Sequence, residues 1–196
     1  MTQSQIVLAS GSPRRRQLLQ LIGIDFDVVP ADIDERSESD ENPVAYACRT
    51  AREKALHVAG RHRSRPVLGA DTVVEIDGAI LGKPGSRESA GEMLRSLSGR
   101  VHQVHTALAL VVDGTSHELV DTANVHFVDL NDRLISWYVE GEEPMDKAGA
   151  YAVQGIGGLF VERVEGSPQT VIGLPIHRLP ELFAAHGLDF WSLLVP

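Results

Sequence analysis

The chain has 196 residues, of which 43% are hydrophobic and 23% are charged, and its formal net charge at pH 7 is -9. This length and composition are those of a globular protein with a full core, in one large or two small domains. The negative charge argues against binding to a nucleic acid polymer or to an anionic membrane. A phosphate ligand would therefore need a local basic pocket or a metal ion.

Cysteine content and hydropathy bear on the compartment. Cys48 is the one cysteine in the sequence, so no internal disulfide can form, which fits a reducing environment. No stretch of the sequence approaches the roughly 20 consecutive apolar residues that a membrane span requires. We therefore expect a cytoplasmic protein without a membrane segment.

The first predicted unit is a short buried strand at 6–9, a loop of small residues and a helix. Ser12 suits the N-cap of this helix, and Pro13 suits its first position. The free N–H groups and the positive dipole at such a helix start attract anions. Arg14 and Arg15 lie in the first turn, where their charge opposes the dipole unless an anion joins them. This pattern predicts a phosphate site, and the alternative is a solvated basic helix start.

An acidic loop at 32–38 follows a second predicted strand at 24–29. Oxygen ligands grouped in a loop, Glu35 among them, suit a hard cation such as Mg²⁺. The same composition is typical of a solvated loop, and the loop alone favours that interpretation. Asn42 and Pro43 then predict the start of a long helix.

The central stretch Val67–Lys83 predicts two short strands joined by a tight turn at Asp77-Gly78. Asp71 lies inside the first strand, where an ionised carboxylate needs a metal, a cation or hydrogen-bond donors nearby. Its small neighbours, such as Gly69, would let a ligand approach the backbone closely. Lys83 returns to the same edge at the end of the second strand. The alternative is a capped strand end with a surface lysine.

The second half of the chain is predicted to contain two helices, a long hairpin, a glycine-rich segment, a final strand pair and a terminal helix. The two helices are predicted at 86–97 and 131–139, with the hairpin between them at 101–127. The glycine-rich segment is predicted at 142–158, the strand pair at 159–164 and 170–172, and the terminal helix after Pro175. Gln154, in the glycine-rich segment, can donate and accept hydrogen bonds, as reading a base edge requires. A zinc site on the hairpin is disfavoured because His102 and His105 point to opposite strand faces.

Strands alternate with helices early, and long hairpins come later. This order predicts an α/β fold with an extended mixed sheet flanked by helices. We expect one domain over 1–196, with two lobes around a central cleft. The cleft would bring the N-terminal anion loop, Asp71 and the glycine-rich segment together.

Seven short motifs, in this order over nearly the whole chain, resemble the Maf (septum formation) family. The motifs are LASGSPRR at 8–15, REKA at 52–55, GADT at 69–72, GKP at 82–84, LSGR at 97–100, EPMDKAGAY at 143–151 and GLP at 173–175. Each motif is weak alone, but together they are highly specific. The resemblance implies an α/β fold similar to inosine triphosphate pyrophosphatases and a cytoplasmic homodimer. It also implies a nucleoside triphosphate pyrophosphatase that cleaves between the α and β phosphates with Mg²⁺ or Mn²⁺.

The resemblance further implies roles for individual residues. Asp71 matches the proton acceptor of the family, and Glu35 and Asp71 match its metal-facing carboxylates. The positions that match base selection are Arg14, Thr72 and Gln154, and those that match phosphate binding are Ser10, Arg15, Lys54 and Lys83. A glutamine in AVQG resembles the branch that acts on dTTP and UTP. The chain departs from many relatives at Ser167-Pro168-Gln169, a loop that bears on selectivity.

Three other functions are kept beside this one. The first is a nucleotide-binding regulator of septum formation that needs no catalysis. The second is a 7-methyl-GTP pyrophosphatase, against which Gln154 argues because that branch carries a glutamate-containing segment there. The third, a serine hydrolase, is weak because neither Ser10 nor Ser12 lies in a Gly-x-Ser-x-Gly elbow.

Overall fold

The computed structural model of the protein describes residues 5–36 and 41–194. In this part of the chain, seven strands form one sheet in the order β2-β1-β3-β5-β6-β7, with β4 paired to β3. The strands β1 to β7 are Ile6–Leu8, Phe26–Val28, Val67–Ile76, Ala79–Leu81, Val101–Val112, Thr115–Phe127 and Val161–Glu165. β1 pairs in parallel with β2 and β3, whereas β3 with β4 and β6 with β7 are antiparallel. The predicted mixed sheet is therefore confirmed.

Helices flank this sheet. The helices α1 to α6 are Pro13–Leu21, Pro43–Ala59, Arg87–Leu97, Asp132–Val139, Pro168–Ile172 and Leu179–Ala184. Short 3-10 helices lie at Glu143–Asp146, Ala148–Ala150, Ile156–Phe160, Ile176–Arg178 and Phe190–Leu193. No helix within the described ranges combines the length and apolar composition needed to cross a bilayer.

The chain divides into two compact units. Unit 1 comprises Met1–Asp71, Thr106–Asp121 and Gly173–Pro196, and unit 2 comprises Thr72–His105 and Thr122–Ile172. Unit 1 holds α1, α2 and α6 with the first strands, and unit 2 holds α3, α4 and α5 with the last one. The predicted single domain with a central cleft stays a prediction.

Unit 1 is organised by the packing of α2 on β3. The side chain of Asn42 accepts the N–H groups of Val44 and Ala45 and so caps the start of α2, as predicted. A Cβ added at Gly69 would lie 2.3 Å from the carbonyl oxygen of Ala51, so only glycine lets the helix lie this close to the strand. In this structure the space at Gly69 serves α2 and not, as predicted, the approach of a ligand.

Unit 2 has a core of its own beneath α3 and α4. Buried aliphatic residues of these helices pack with an aromatic group in which the rings of Tyr138 and Phe160 meet edge to face at 4.7 Å. The left-handed φ of Gly149, 69°, brings the glycine-rich segment against the side chain of Val74. The segment is thereby fixed to the strand β3.

The strand predicted at 170–172 is wrong, because these residues belong to α5. Thr170, Val171 and Ile172 are β-branched and favour a strand locally. However, Pro168 occupies the first helical position, and Thr170 N–H donates to Ser167 O at 3.0 Å. The turn chemistry at Ser167-Pro168 outweighs the strand preference of the three residues that follow.

Candidate active site

An ion pair joins α2 and β3 in unit 1. Lys54 Nζ lies 2.7 Å from Asp71 Oδ1, and both side chains are 9% exposed. The same ammonium lies 3.1 Å from Oε1 of Glu35, whose side chain is 45% exposed. One lysine therefore neutralises a buried carboxylate and a solvent-facing one, and three of the predicted site residues meet here.

The environment of Asp71 makes its carboxylate more basic than usual. Burial raises the pKa of Asp71, and the positive charges of Lys54 and Arg15 limit that rise. Glu35 adds a smaller contribution in the raising direction. A carboxylate with a raised pKa is better suited to accept a proton from water near neutral pH than an exposed aspartate.

Arg15 is held in a fixed orientation beneath the start of α1. Its Nε donates to the carbonyl oxygen of Gly173 at 2.8 Å, and its Nη1 donates to Ser10 Oγ at 3.0 Å. Burial lowers the pKa of Arg15, and the negative charge of Asp71 opposes this effect. The guanidinium stays protonated at neutral pH and places a buried positive charge near the ion pair.

The loop before α1 is shaped by Ser10. Its hydroxyl oxygen also accepts the Ser12 N–H at 3.3 Å. Ser12 occupies the predicted N-cap position, but its side chain makes no capping hydrogen bond. Arg14 is half-buried, and its charge contributes to the lowered pKa of Arg15. The predicted N-terminal basic site thus contains two neighbouring cations, of which only Arg15 is fully buried.

Two residues that hold this site together were missed from the sequence. The Tyr46 hydroxyl donates to the carbonyl oxygen of Glu35 at 2.6 Å and fixes the acidic loop to α2. Gly173, in the GLP motif, supplies the carbonyl that orients Arg15. A signal for Tyr46 was present, because Tyr46 and Lys54 stand eight residues apart, on one face of a helix. No local sequence pattern indicates that the carbonyl oxygen of Gly173 accepts a hydrogen bond from Arg15.

The donor set for a divalent metal fits the predicted residues. Glu35 and Asp71 both turn a carboxylate oxygen toward one cationic group, the ammonium of Lys54. Mg²⁺ characteristically takes one or two carboxylates and completes its shell with water and substrate phosphates. In the described part of the chain, no group of three or more His, Cys, Asp or Glu side chains could hold a metal ion. Glu35 and Asp71 would therefore supply two carboxylate ligands, and water or substrate phosphates would complete the shell of such an ion.

The remaining predicted residues lie in unit 2. Lys83 is exposed, and the preceding Gly82 accepts the Gly149 N–H at 3.2 Å, which ties the GKP motif to the glycine-rich segment. Gln154 is exposed and Thr72 is half-buried. The meeting of this group with the group in unit 1 stays a prediction. Ser37 and Glu38 of the acidic loop lie outside the described residues.

Comparison with known proteins adds the following similarities. A family described as Maf-like protein matches residues 5–186. The dTTP/UTP pyrophosphatase of Myxococcus xanthus is 49% identical over 187 residues, which cover 95% of this chain and 94% of the relative. The dTTP/UTP pyrophosphatase of Syntrophus aciditrophicus is 46% identical over 189 residues, 95% of this chain and 92% of the relative. That of Escherichia coli strain K12 is 44% identical over 182 residues, 92% of both chains.

Among solved structures, the chain is similar to the Staphylococcus aureus Ham1 protein. The TM-score is 0.43 at 17% identity, with 64% of this chain and 72% of that chain covered.

Proposed function

Since the chain belongs to the Maf family, we propose that it hydrolyses nucleoside triphosphates, dTTP and UTP foremost, to the monophosphate and pyrophosphate. The observation that carries the proposal is the buried pair of Lys54 and Asp71, with Arg15 and Glu35 beside it. This arrangement occurs in a chain whose relatives at 44–49% identity are named dTTP/UTP pyrophosphatases.

Triphosphate binding is the first task of the site. A triphosphate carries dense negative charge, so an acidic protein must collect cations where it binds. Ser10 and Arg15 bind the phosphates together with Lys54 and Lys83. Ser10 fixes the guanidinium of Arg15, and the hydrogen bond of Arg15 to Gly173 keeps that guanidinium from turning away. Positioning and charge stabilisation are most of what such a transfer requires of a protein.

Asp71 is the proton acceptor for the attacking water. Its raised pKa favours proton uptake, and Lys54 keeps the carboxylate in one orientation through a 2.7 Å hydrogen bond. Water attacks the α-phosphorus, the bond to the bridging oxygen breaks, and pyrophosphate leaves. Glu35 and Asp71 would hold Mg²⁺ or Mn²⁺, which when bound supplies charge neutralisation on the phosphates.

Base selection is assigned to Arg14, Thr72 and Gln154. The amide of Gln154 can donate to the O4 atom of uracil or thymine and accept from N3–H. Its exposure leaves the amide accessible to a base. Family membership also supports a cytoplasmic location and a homodimer, which we include in the proposal.

The test is pyrophosphate release from a panel of canonical and modified triphosphates, with Mg²⁺, Mn²⁺ or EDTA. We expect metal-dependent release that is fastest with dTTP or UTP and that is lost in Asp71→Asn. Asp113→Asn is the matched control, because Asp113 is an exposed turn residue of the same unit. Fastest release from 7-methyl-GTP would overturn the selectivity. Nucleotide binding without turnover would favour the septum-formation regulator.

A further inference from the structure

The carboxylate of Glu143, near the start of the glycine-rich segment, accepts hydrogen bonds from backbone N–H groups near its end. Its Oε1 accepts hydrogen bonds from Gly157 N–H and from the Tyr138 hydroxyl, both at 2.8 Å. Its Oε2 accepts the Ile156 N–H at 2.9 Å. Burial alone would raise the pKa of Glu143, but these donors together lower it, so the group is ionised at neutral pH. One anionic side chain thus caps the 3-10 helix Ile156–Phe160.

Gly155 shows how closely the segment is built around this carboxylate. A Cβ added there would lie 2.2 Å from Glu143 Oε2. The φ of Gly155 is -114°, which any residue adopts, so its backbone conformation does not require glycine. The glycine is needed for space, and the space is filled by Glu143.

Tyr138 connects the carboxylate to the core of unit 2. Its ring packs edge to face on Phe160, and its hydroxyl donates to Glu143. A Cβ at Gly157 would lie 2.8 Å from the same hydroxyl. The helix α4, the residue Glu143 and the start of the 3-10 helix therefore form one connected piece.

Gln154 lies directly before this piece. Its side chain is exposed. The backbone around it is fixed by Gly155 N–H, which donates to Ala152 O at 3.1 Å, and by the capped helix after it. The place of the Gln154 amide therefore depends on neighbours that Glu143 orders.

We propose that Glu143 is a positioning residue for base selection, which fixes the backbone on which Gln154 presents its amide to the pyrimidine. The inference rests on the proposed function and names how its selectivity is maintained. A glutamine amide can turn over and match either the uracil edge or the cytosine edge, because it carries both a donor and an acceptor. A backbone held in place at 155–157 limits the positions that this amide can take, and the proposal is that discrimination between UTP and CTP depends on that support.

The test compares kcat and KM for UTP and CTP in Glu143→Gln. The carboxamide has one acceptor oxygen where the carboxylate of Glu143 has two. The donors that now bind either Oε1 or Oε2 therefore lose their acceptor. We expect the UTP-over-CTP ratio of kcat/KM to fall about tenfold, as loss of one charge-assisted hydrogen bond would give. The change should appear in the KM for UTP, with kcat nearly kept. Glu162→Gln is the control, because Glu162 is an exposed glutamate of the same unit.

Gly155→Ala should displace the carboxylate of Glu143 by a steric clash while retaining its charge. It should reduce the ratio in the same way, whereas Gly85→Ala, where a Cβ meets nothing within 4 Å, should not. Amide hydrogen exchange at 156 and 157 should be faster in Glu143→Gln, which reports the lost cap without any turnover. In a Gln154→Ala background, Glu143→Gln should have no further effect on the ratio.

The outcomes separate the two proposals. If the wild-type protein prefers UTP and Glu143→Gln keeps that preference, the inference fails and the proposed function stands. An equal loss for UTP and CTP also overturns the inference, because it indicates general structural damage. If the wild-type protein shows no pyrophosphatase activity, or no preference for UTP over CTP, the proposed selectivity fails first and the inference falls with it.

Discussion

The ammonium of Lys54 and the carboxylate of Asp71 lie 2.7 Å apart, on a helix and a strand that are in direct contact. The contact exists because Gly69, two residues before Asp71, leaves no side chain between α2 and β3. The glycine of the GADT motif and the lysine of the REKA motif are thus parts of one packing arrangement.

Gly69→Ala should separate that helix from its strand. The new methyl group would lie 2.3 Å from the Ala51 carbonyl oxygen, which cannot move without shifting α2. We expect a loss of about 1–3 kcal/mol in the free energy of unfolding, measured in urea, together with reduced turnover. Gly85→Ala is the control, and equal stability of the two variants would contradict the packing argument.

Lys54→Met should raise the pKa of Asp71 further. The substitution removes both the charge and the hydrogen bond that limit the effect of burial on this carboxyl. The measurement is the titration of the Asp71 side-chain carbon by NMR, which does not depend on activity. Arg16→Met removes an exposed cation of the same unit and should leave the pKa of Asp71 unchanged. An unchanged or lowered pKa in Lys54→Met would contradict the pairing.

Arg15→Lys should reduce stability and substrate binding although the substitution retains the positive charge. Arg15 donates to Gly173 O from Nε and to Ser10 Oγ from Nη1, and the single ammonium nitrogen of a lysine cannot take the places of both of these nitrogen atoms. We expect the free energy of unfolding to fall by at least about 1.5 kcal/mol and the KM for UTP to rise. The neighbouring exposed Arg16→Lys should stay within about 0.5 kcal/mol of the wild-type protein. Similar results for the two neighbours would show that the hydrogen bonds of Arg15 are unimportant.

His102 predicts a pH dependence of stability. Burial lowers its pKa from 6.5 to about 4, and the nearby His126 contributes to this. The unfolded chain then binds a proton between these values that the folded chain does not, so stability falls as pH is lowered through this window. The free energy of unfolding should fall by about 3 kcal/mol over this window because of His102. This fall should be missing in His102→Gln and present in His57→Gln, whose histidine is exposed. Parallel curves for wild type and His102→Gln between pH 6.5 and 4 would contradict it.

Local chemistry was sufficient to predict much of the fold. The hairpin predicted at 101–127 is found as β5 and β6, and Asp113 and Gly114 between them both have the positive φ that a tight two-residue turn requires. The start of α2 follows from Asn42 and Pro43. The failure at 170–172 has a physical cause, because strand preference needs a partner strand, whereas Pro168 starts a helix by itself.

The candidate site was harder to predict, because its contacts join distant parts of the chain. A buried Asp71 demanded a cation, but nothing local identified Lys54, seventeen residues earlier on another element. The contact between Arg15 and Gly173 spans 158 positions and depends wholly on tertiary packing. Likewise, the hydrogen bonds from the 156 and 157 N–H groups to Glu143 join residues 13 and 14 positions apart, and no sequence pattern indicated them.

The most direct test of the central claim is the product analysis of UTP hydrolysis in ¹⁸O-labelled water. Attack on the α-phosphorus predicts equal amounts of UMP and pyrophosphate, with the label in UMP, from the wild-type protein and from Asp113→Asn. Asp71→Asn should give neither product at a comparable rate. Release of UDP and phosphate, or label in pyrophosphate, would contradict the proposed chemistry, and full activity in Asp71→Asn would contradict the role of Asp71.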